Sequence, residues 1–171
     1  PYDKVRDKDA PASICLICEI AAWAKDNGRT LYDLLMDIYV DYGFSKEFTV
    51  NVVKPGKTGA DAIKQMMADF RSNPPKELGG SKIVLWKDYQ TLEATDENGN
   101  VTKLDMPTTS NVLQWFCNDG TKVSVRPSGT EPKIKFYIEV KDNTMKCAGC
   151  YDSCCKAGEE KIEAIKKSLN L

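Results

Sequence analysis

Residues 126–133, with the sequence RPSGTEPK, contain the side chains best suited to bind a ligand. Gly129 can adopt a positive φ, while Ser128 and Thr130 add hydroxyl donors. Successive amides from Ser128 to Thr130 can then turn inward as a nest for an anion. The guanidinium of Arg126 presents a planar fork to two oxygens of such an anion. This combination is the chemistry of a phosphate site.

An ordinary polar surface turn explains the same composition, because glycine, proline and serine are common in turns for backbone reasons. Residues 126–133 are not a Walker-type phosphate loop, since this segment has no Gly-Lys-Ser/Thr run and is followed by a strand pattern and not by a helix. The residues by themselves therefore leave two alternatives open, an anion nest and a solvated turn.

At every position, RPSGTEPK resembles the phosphate-binding loop of the alpha-D-phosphohexomutases, the phosphoglucomutase and phosphomannomutase superfamily. The resemblance implies four phosphate ligands, namely Arg126, Ser128, Gly129 and Thr130. Lys135 stands where some members have an arginine, and a lysine there keeps the charge but loses the fork geometry. Lys133 is a further candidate ligand. Glu131 is interpreted as structural, because a second anion beside a bound phosphate would repel it.

The reaction of such a family depends on an active-site phosphoserine, an Asp-Gly-Asp-Gly-Asp metal loop and a Gly-Glu-Glu-Ser type sugar loop, and none of these motifs is present here. The resemblance therefore implies a C-terminal fragment of an isomerase that interconverts hexose 1-phosphate and 6-phosphate. We expect no catalytic, metal or cofactor site in the fragment, which should be inactive alone, and magnesium in the parent. The expected partners are a phosphosugar and the upstream domains.

Two features favour a parent of this kind. The chain begins at Pro1 rather than methionine, and residues 5–10, VRDKDA, resemble the stretch that follows the sugar loop in phosphoglucomutase-like members. Residues 74–107 resemble the phosphoglucomutase and phosphopentomutase branch. A phosphomannomutase or phosphopentomutase parent and a stand-alone module for phosphorylated ligands remain alternatives.

The other reactive residues indicate no second active site. The chain has no histidine, which excludes Ser-His and Cys-His pairs. Asp7 and Asp9 lie among basic residues and are interpreted as solvated or capping groups, since a hard-cation site gathers more oxygen ligands.

The seven cysteines include two C-x-x-C pairs, Cys15 with Cys18 and Cys147 with Cys150. Such pairs can hold zinc. Both pairs fall within or at the start of helical patterns, where cysteine serves as a small apolar residue. An odd number of cysteines without a signal peptide favours reduced, buried thiols. We therefore expect neither zinc nor disulfides.

Composition limits the remaining function classes. The chain is 42% hydrophobic and 29% charged, as in ordinary globular proteins, and no apolar run has the length of a membrane span. With 24 basic and 25 acidic residues the net charge is -1, so no overall field attracts nucleic acid or an anionic membrane. We expect a cytoplasmic protein that binds neither.

The first of two predicted domains, residues 1–45, is helical. Asp9 caps one helix, which Asn27 and Gly28 end, and a capping box at Thr30 starts a second helix that runs to Gly43. We interpret this pair as the end of a preceding α/β domain, the third domain of the family. Its apolar face, residues 10–42, is expected to be exposed and to support self-association.

The second predicted domain, residues 46–171, is expected to hold the phosphate loop between two strands. Residues 122–125 and 134–140 alternate with the period of a half-buried strand. A helix capped by Thr58, a hairpin around Asn98 and Gly99, and a closing helix from Asn143 or Thr144 complete the pattern. This is an α+β fold, and the resemblance implies an antiparallel sheet with flanking helices, similar to the TATA-binding protein.

Overall fold

The computed structural model describes residues 8–171, so Val5, Arg6 and Asp7 lie outside the described residues. The chain divides into two compact units. One unit contains the residues up to Phe44 together with Asn143–Asp152, and the other contains Ser45–Asp142 together with Ser153–Leu171. The domain division between residues 45 and 46 stays a prediction.

The first unit contains two helices, α1 (Ala10–Asp26) and α2 (Leu31–Tyr42). Asp9 caps α1 by accepting a 3.0 Å hydrogen bond from the Ala12 amide, which agrees with its predicted capping role. The capping box of Thr30 and Asp33 starts α2, as predicted. Local sequence signals therefore determine both helix starts.

Large apolar side chains of α1 and α2 are exposed, which confirms the predicted apolar face. Ile14 is 61% exposed, Ile17 47%, Trp23 56% and Ile38 51%. Whether this face joins two copies of the chain is a separate matter, and self-association stays a prediction.

The chain returns to the first unit through residues 143–152. Tyr151 contacts the rings of Tyr32, Tyr39 and Phe44 at centroid distances of 6.0, 6.1 and 5.9 Å. These contacts join α2 and Phe44 to residues 143–152 within the first unit. Aromatic pairs at this spacing add stability beyond the area that they bury.

The predicted start of the last helix at Asn143 or Thr144 is wrong. Helix α4 spans Tyr151–Ser168 and follows a single 3-10 turn, Ala148–Cys150. Cys147 before this turn is extended, with φ -158° and ψ 160°. The apolar periodicity of α4 extends upstream of Tyr151 in the sequence, but Gly149 disfavours helix and the regular helix begins only after it.

The second unit is built on an eight-stranded sheet. Its strands are β1 (Phe44–Val53), β2 (Glu77–Leu78), β3 (Ser81–Asp88), β4 (Glu93–Asp96), β5 (Val101–Lys103), β6 (Leu113–Cys117), β7 (Lys122–Pro127) and β8 (Lys133–Asp142). The order is β1-β8-β7-β6-β3-β4-β5, with β2 paired to β3. From β8 to β5 every neighbouring pair is antiparallel. The predicted hairpin corresponds to β4 and β5, with Gly99 at φ 84° in its turn.

One face of this sheet forms the core with α4 and with α3 (Gly56–Ser72). Trp115 is 1% exposed and lies in register with Val123 of β7. Phe70 of α3 packs edge-on against Trp115 and Phe136 at 5.1 and 6.2 Å. This arrangement is the predicted α+β fold. As expected, Phe116 points to the opposite face from Trp115 and is only half-buried.

The predicted Thr58 cap of α3 is wrong. The helix begins at Gly56, and its N-cap Pro55 makes no side-chain cap hydrogen bond. Gly56 has φ 81°, a conformation that only glycine adopts without strain, and this allows an earlier start than the capping pattern indicated.

Among residues 8–171, no helix is both long and apolar enough to cross a membrane.

Candidate functional site

The RPSGTEPK segment joins β7 to β8, as its flanking periodicity predicted. The two strands are antiparallel, and Arg126 lies directly opposite Lys135, one pair before Pro127 and Ile134. Val125 and Phe136, the preceding pair, are fully buried against the helices. Because side chains alternate along a strand, Arg126 and Lys135 lie on the face away from the helical core.

Arg126 and Lys135 form a cross-strand pair of like charge. Arg126 is exposed and Lys135 is half-buried. Within residues 8–171, neither side chain forms an ion pair with a carboxylate. Like charges directly opposite one another destabilise a sheet, so this pair favours an anion between or above it. The local electrostatics therefore suit a phosphate group.

The loop backbone is organised by Ser128. Its amide donates to the Lys133 carbonyl at 2.8 Å and closes the end of the ladder. Its hydroxyl oxygen accepts from the amides of Thr130 and Glu131 at 3.4 and 3.3 Å. The expected nest of free amides from Ser128 to Thr130 therefore differs from the observed loop, in which the Ser128 amide is already bonded.

Gly129 lies at the tip of the loop and is exposed. Its φ is outside the left-handed region, so the positive φ that the sequence allowed is not used here. A Cβ built on Gly129 would have no atom within 4 Å. Because Gly129 has no side chain and its surroundings are open, a ligand can approach the loop backbone at this position.

Lys133 and Glu131 form an ion pair beside the loop. The hydrogen bond and charge of Lys133 hold the pKa of Glu131 below its usual range, with a smaller effect from Lys135. Among residues 8–171, the carboxylate of Glu131 is therefore ion-paired with Lys133 and with neither Arg126 nor Lys135. A phosphate contact by Lys133 would require this ion pair to be exchanged.

All six predicted ligands line one cavity of about 530 Å³. Its lining contains Arg126, Ser128, Gly129, Thr130, Lys133 and Lys135. Tyr137 also lines it and was missed by sequence reasoning. The sequence does contain a signal for Tyr137: it lies two residues after Lys135 on the same strand, and side chains two residues apart on a strand share a face. That these residues bind phosphate stays a prediction.

A second cavity, of about 460 Å³, lies on the other side of the loop. Its lining includes Gly56, Ala60 and Lys64 of α3 as well as Ser128 and Glu131. The contribution of Lys64 was not predicted. The loop is therefore approached by polar groups from the sheet and by the first turns of α3.

Lys54, the residue that follows β1, is hydrogen-bonded to the loop. The Lys54 amide donates to the Pro132 carbonyl at 2.9 Å. Gly59 of α3 lies against the same residue, because a Cβ at Gly59 would be 1.9 Å from the Lys54 carbonyl oxygen. Helix α3, β1 and the loop are thus held at fixed positions relative to one another.

The prediction that the cysteines are buried is wrong for three of them. Cys15, Cys18 and Cys147 are exposed, whereas Cys117 and Cys154 are buried. The spacing of Cys15 and Cys18 shows that both thiols lie on one face of a helix, but it does not show whether that face is buried or exposed. Within residues 8–171, no group of three or more cysteine or carboxylate side chains is placed to hold a metal ion.

Comparisons with known proteins point to one family. The family model described as "Phosphoglucomutase/phosphomannomutase, C-terminal domain" matches residues 50–146. A phosphoglucomutase of Staphylococcus aureus (strain MRSA252) is 39% identical over 138 residues, and one of Staphylococcus epidermidis (strain ATCC 12228) is 37% identical over 137 residues. These matches cover 80% of this chain and 25% of each relative. The chain thus spans about a quarter of their length.

A solved structure shares the fold. The exocytosis-sensitive phosphoprotein pp63/parafusin of Paramecium, described as a phosphoglucomutase in its open form, superimposes with a TM-score of 0.51 at 17% identity. The match covers 98% of this chain and 29% of the other. At this identity the likeness shows the fold alone.

Proposed function

Because this chain belongs to the phosphoglucomutase/phosphomannomutase family through its C-terminal domain, we propose that its 126–133 loop grips the phosphate of a sugar phosphate. The observation that carries this proposal is the cross-strand pair of Arg126 and Lys135 beside a 530 Å³ cavity. A dianionic phosphate would relieve the repulsion between these two cations.

Each ligand has a distinct role in this proposal. Arg126 binds two phosphate oxygens through its planar guanidinium, while Lys135 contributes a point charge. The hydroxyls of Ser128 and Thr130 donate to the remaining oxygens. Gly129 allows the phosphate to approach the backbone. Lys133 assists if its ion pair with Glu131 is exchanged.

For the whole protein we propose a phosphoglucomutase-type isomerase that interconverts hexose 1-phosphate and 6-phosphate in the cytoplasm. The relatives named phosphoglucomutase support glucose as the sugar. In this proposal the present domain holds the phosphate that is not transferred, and closure of the domain over the substrate excludes water from the reaction.

Magnesium, if the parent enzyme uses it, would supply charge stabilisation at the transferred phosphoryl group. The described residues do not fit such a site, since residues 8–171 contain no suitable group of three ligands. No step of the proposed grip is therefore assigned to a metal.

The grip is tested by NMR titration of the chain with glucose 6-phosphate. The largest shifts are expected at residues 126–130, with a dissociation constant on the order of 1 mM or weaker, because one charged cluster without the other domains provides only part of the binding energy. Arg126→Ala should weaken binding about tenfold, the loss of a hydrogen bond to a charged group.

The matched control is Lys103→Ala, which removes one positive charge from exposed strand β5. This variant should bind glucose 6-phosphate as the unchanged chain does. The proposed site is wrong if the shifts avoid residues 126–130, and the role of Arg126 is wrong if both variants bind equally well.

A further inference from the structure

The turn Cys147-Ala148-Gly149-Cys150 brings two thiols into contact. The Sγ atoms of Cys147 and Cys150 lie 3.0 Å apart, within hydrogen-bonding distance. The Cys150 amide donates to the Cys147 carbonyl at 3.0 Å and closes the turn. Cys147 is exposed and Cys150 half-buried, so reagents in solution can reach the pair.

The 3-10 geometry of this turn explains the contact. In a 3-10 turn, residues three positions apart lie almost directly above one another. Gly149, between the two cysteines, lies close to this contact, since a Cβ built there would be in ordinary van der Waals contact with the Cys147 Sγ at 3.9 Å. The chain thus holds the two sulfurs together at the start of α4 without a covalent bond.

The other C-x-x-C pair shows that spacing alone does not produce this contact. Cys15 and Cys18 lie within the long helix α1, and both are exposed. No hydrogen bond joins their thiols in the part of the chain that the structure describes. The two pairs have the same spacing, but a hydrogen bond joins the thiols of Cys147 and Cys150 and, within the described residues, not those of Cys15 and Cys18.

The environment of Cys150 favours its reactive form. The hydrogen bond between the Cys147 and Cys150 thiols, followed by backbone hydrogen bonding at Lys146, lowers the pKa of Cys150. Since the thiolate is the nucleophile in disulfide exchange, a lowered pKa favours attack by Cys150.

We propose that Cys147 and Cys150 form a redox-active dithiol, which small disulfides such as oxidised glutathione convert to an intramolecular disulfide. This site is separate from the phosphate loop and does not rest on the proposed function. The turn at residues 147–150 contains none of the proposed phosphate ligands and would be a site of reversible oxidation.

The reaction is a pair of thiol–disulfide exchanges. The Cys150 thiolate attacks one sulfur of glutathione disulfide, which gives a mixed disulfide and releases one glutathione. The Cys147 sulfur then attacks the Cys150 sulfur, forms the Cys147–Cys150 bond and releases the second glutathione. The two thiol protons pass to the two glutathione molecules, and glutathione disulfide is the species reduced.

The test equilibrates the full chain with mixtures of reduced and oxidised glutathione, alkylates the remaining thiols and digests with trypsin. Cleavage after Lys146 and Lys156 gives peptide 147–156, which carries four cysteines, and cleavage after Lys8 and Lys25 gives peptide 9–25 with Cys15 and Cys18. Peptide 147–156 should lose two hydrogens, and fragmentation should place the bond between its first and fourth residues.

Peptide 9–25 is the internal control. At a glutathione ratio that oxidises half of the Cys147–Cys150 pair, the disulfide fraction of the Cys15–Cys18 pair should be at least about tenfold lower. In a Cys147→Ser variant that also carries Cys154→Ala and Cys155→Ala, the internal bond should disappear and glutathione should remain on Cys150, because peptide 147–156 then has no second thiol.

A background with Cys154→Ala and Cys155→Ala leaves only the proposed pair in peptide 147–156. Three results would overturn the proposal: equal oxidation of the two C-x-x-C pairs, an internal bond that uses Cys154 or Cys155, or thiols that react only after a chelator is added.

Discussion

Asp119, in the turn between β6 and β7, joins three parts of the second unit. Its carboxylate accepts hydrogen bonds from the Ser81 hydroxyl at 2.5 Å and the Thr121 amide at 3.0 Å, and it lies 3.1 Å from the Lys161 ammonium of α4. Burial alone would raise the pKa of Asp119, but these three groups together lower it to about 2. Burial, and then the Asp119 charge, raises the pKa of neighbouring Cys117 to about 11.

Asp119→Asn should destabilise the chain by about 1 kcal/mol at neutral pH, a modest value because the carboxylate is partly exposed and screened by solvent. The pKa of Asp119 is about 2 in the fold and 3.8 ordinarily, so its contribution is present above about pH 4 and disappears as the pH falls through 2. Urea unfolding from pH 7 to pH 2 measures the difference.

The control for this experiment is Asp105→Asn at an exposed loop position. It removes the same charge without breaking the cluster and should not change the pH dependence of unfolding. An Asp119→Asn penalty that persists unchanged at pH 2 would show that the carboxylate charge is not the source of the stability.

At the scale of the elements, Gly59 decides how closely α3 approaches the end of β1. An added Cβ would lie 2.4 Å from the Lys54 carbonyl carbon as well as close to its oxygen, and backbone atoms cannot move aside as a flexible side chain does. Since the Lys54 amide holds Pro132, this contact also determines where the phosphate loop lies.

Gly59→Ala is therefore expected to destabilise the second unit by about 2 kcal/mol, as overpacking does elsewhere, and to weaken glucose 6-phosphate binding. Chemical denaturation and NMR titration measure the two effects. Gly129→Ala is the contrasting variant, since its Cβ would have open space. The free energy of unfolding of Gly129→Ala should change by less than about 0.5 kcal/mol. Equal losses of stability in the two variants would contradict the role of Gly59.

The exposed apolar side chains of α1 and α2 lead to a prediction about association. We propose that this face packs against a second copy of the isolated chain, since exposed apolar patches of this kind mark interaction surfaces. Light scattering should show a mass that rises with concentration. Replacing Ile14 and Ile17 by lysine should abolish the rise, whereas Val101→Lys on β5 should not; a constant monomer mass would refute the proposal.

At the scale of the whole molecule, the chain spans about a quarter of its phosphoglucomutase relatives. The motifs for phosphoryl transfer, metal binding and sugar recognition are absent from its sequence. The purified chain should therefore not convert glucose 1-phosphate to glucose 6-phosphate in a coupled assay with added magnesium. Turnover that survives further purification and disappears with Arg126→Ala would show that the assignment of roles to domains is wrong.

The sequence by itself determined the features that depend on neighbouring residues. Alternation placed strands on both sides of the 126–133 loop, and side-chain caps at Asp9 and Thr30 marked two helix starts, because these signals act within one turn or strand. The family resemblance carried by RPSGTEPK was confirmed by the match to residues 50–146.

Only the tertiary structure decided which groups from separate elements meet. The register of β7 and β8 sets Arg126 opposite Lys135, and packing of the helices on one face leaves this pair on the other. Packing likewise exposes Cys15 and Cys18, and the turn before α4 joins Cys147 to Cys150. The physical reason is that periodicity fixes which side chains share a face, whereas solvent exposure and contacts across elements depend on what covers that face.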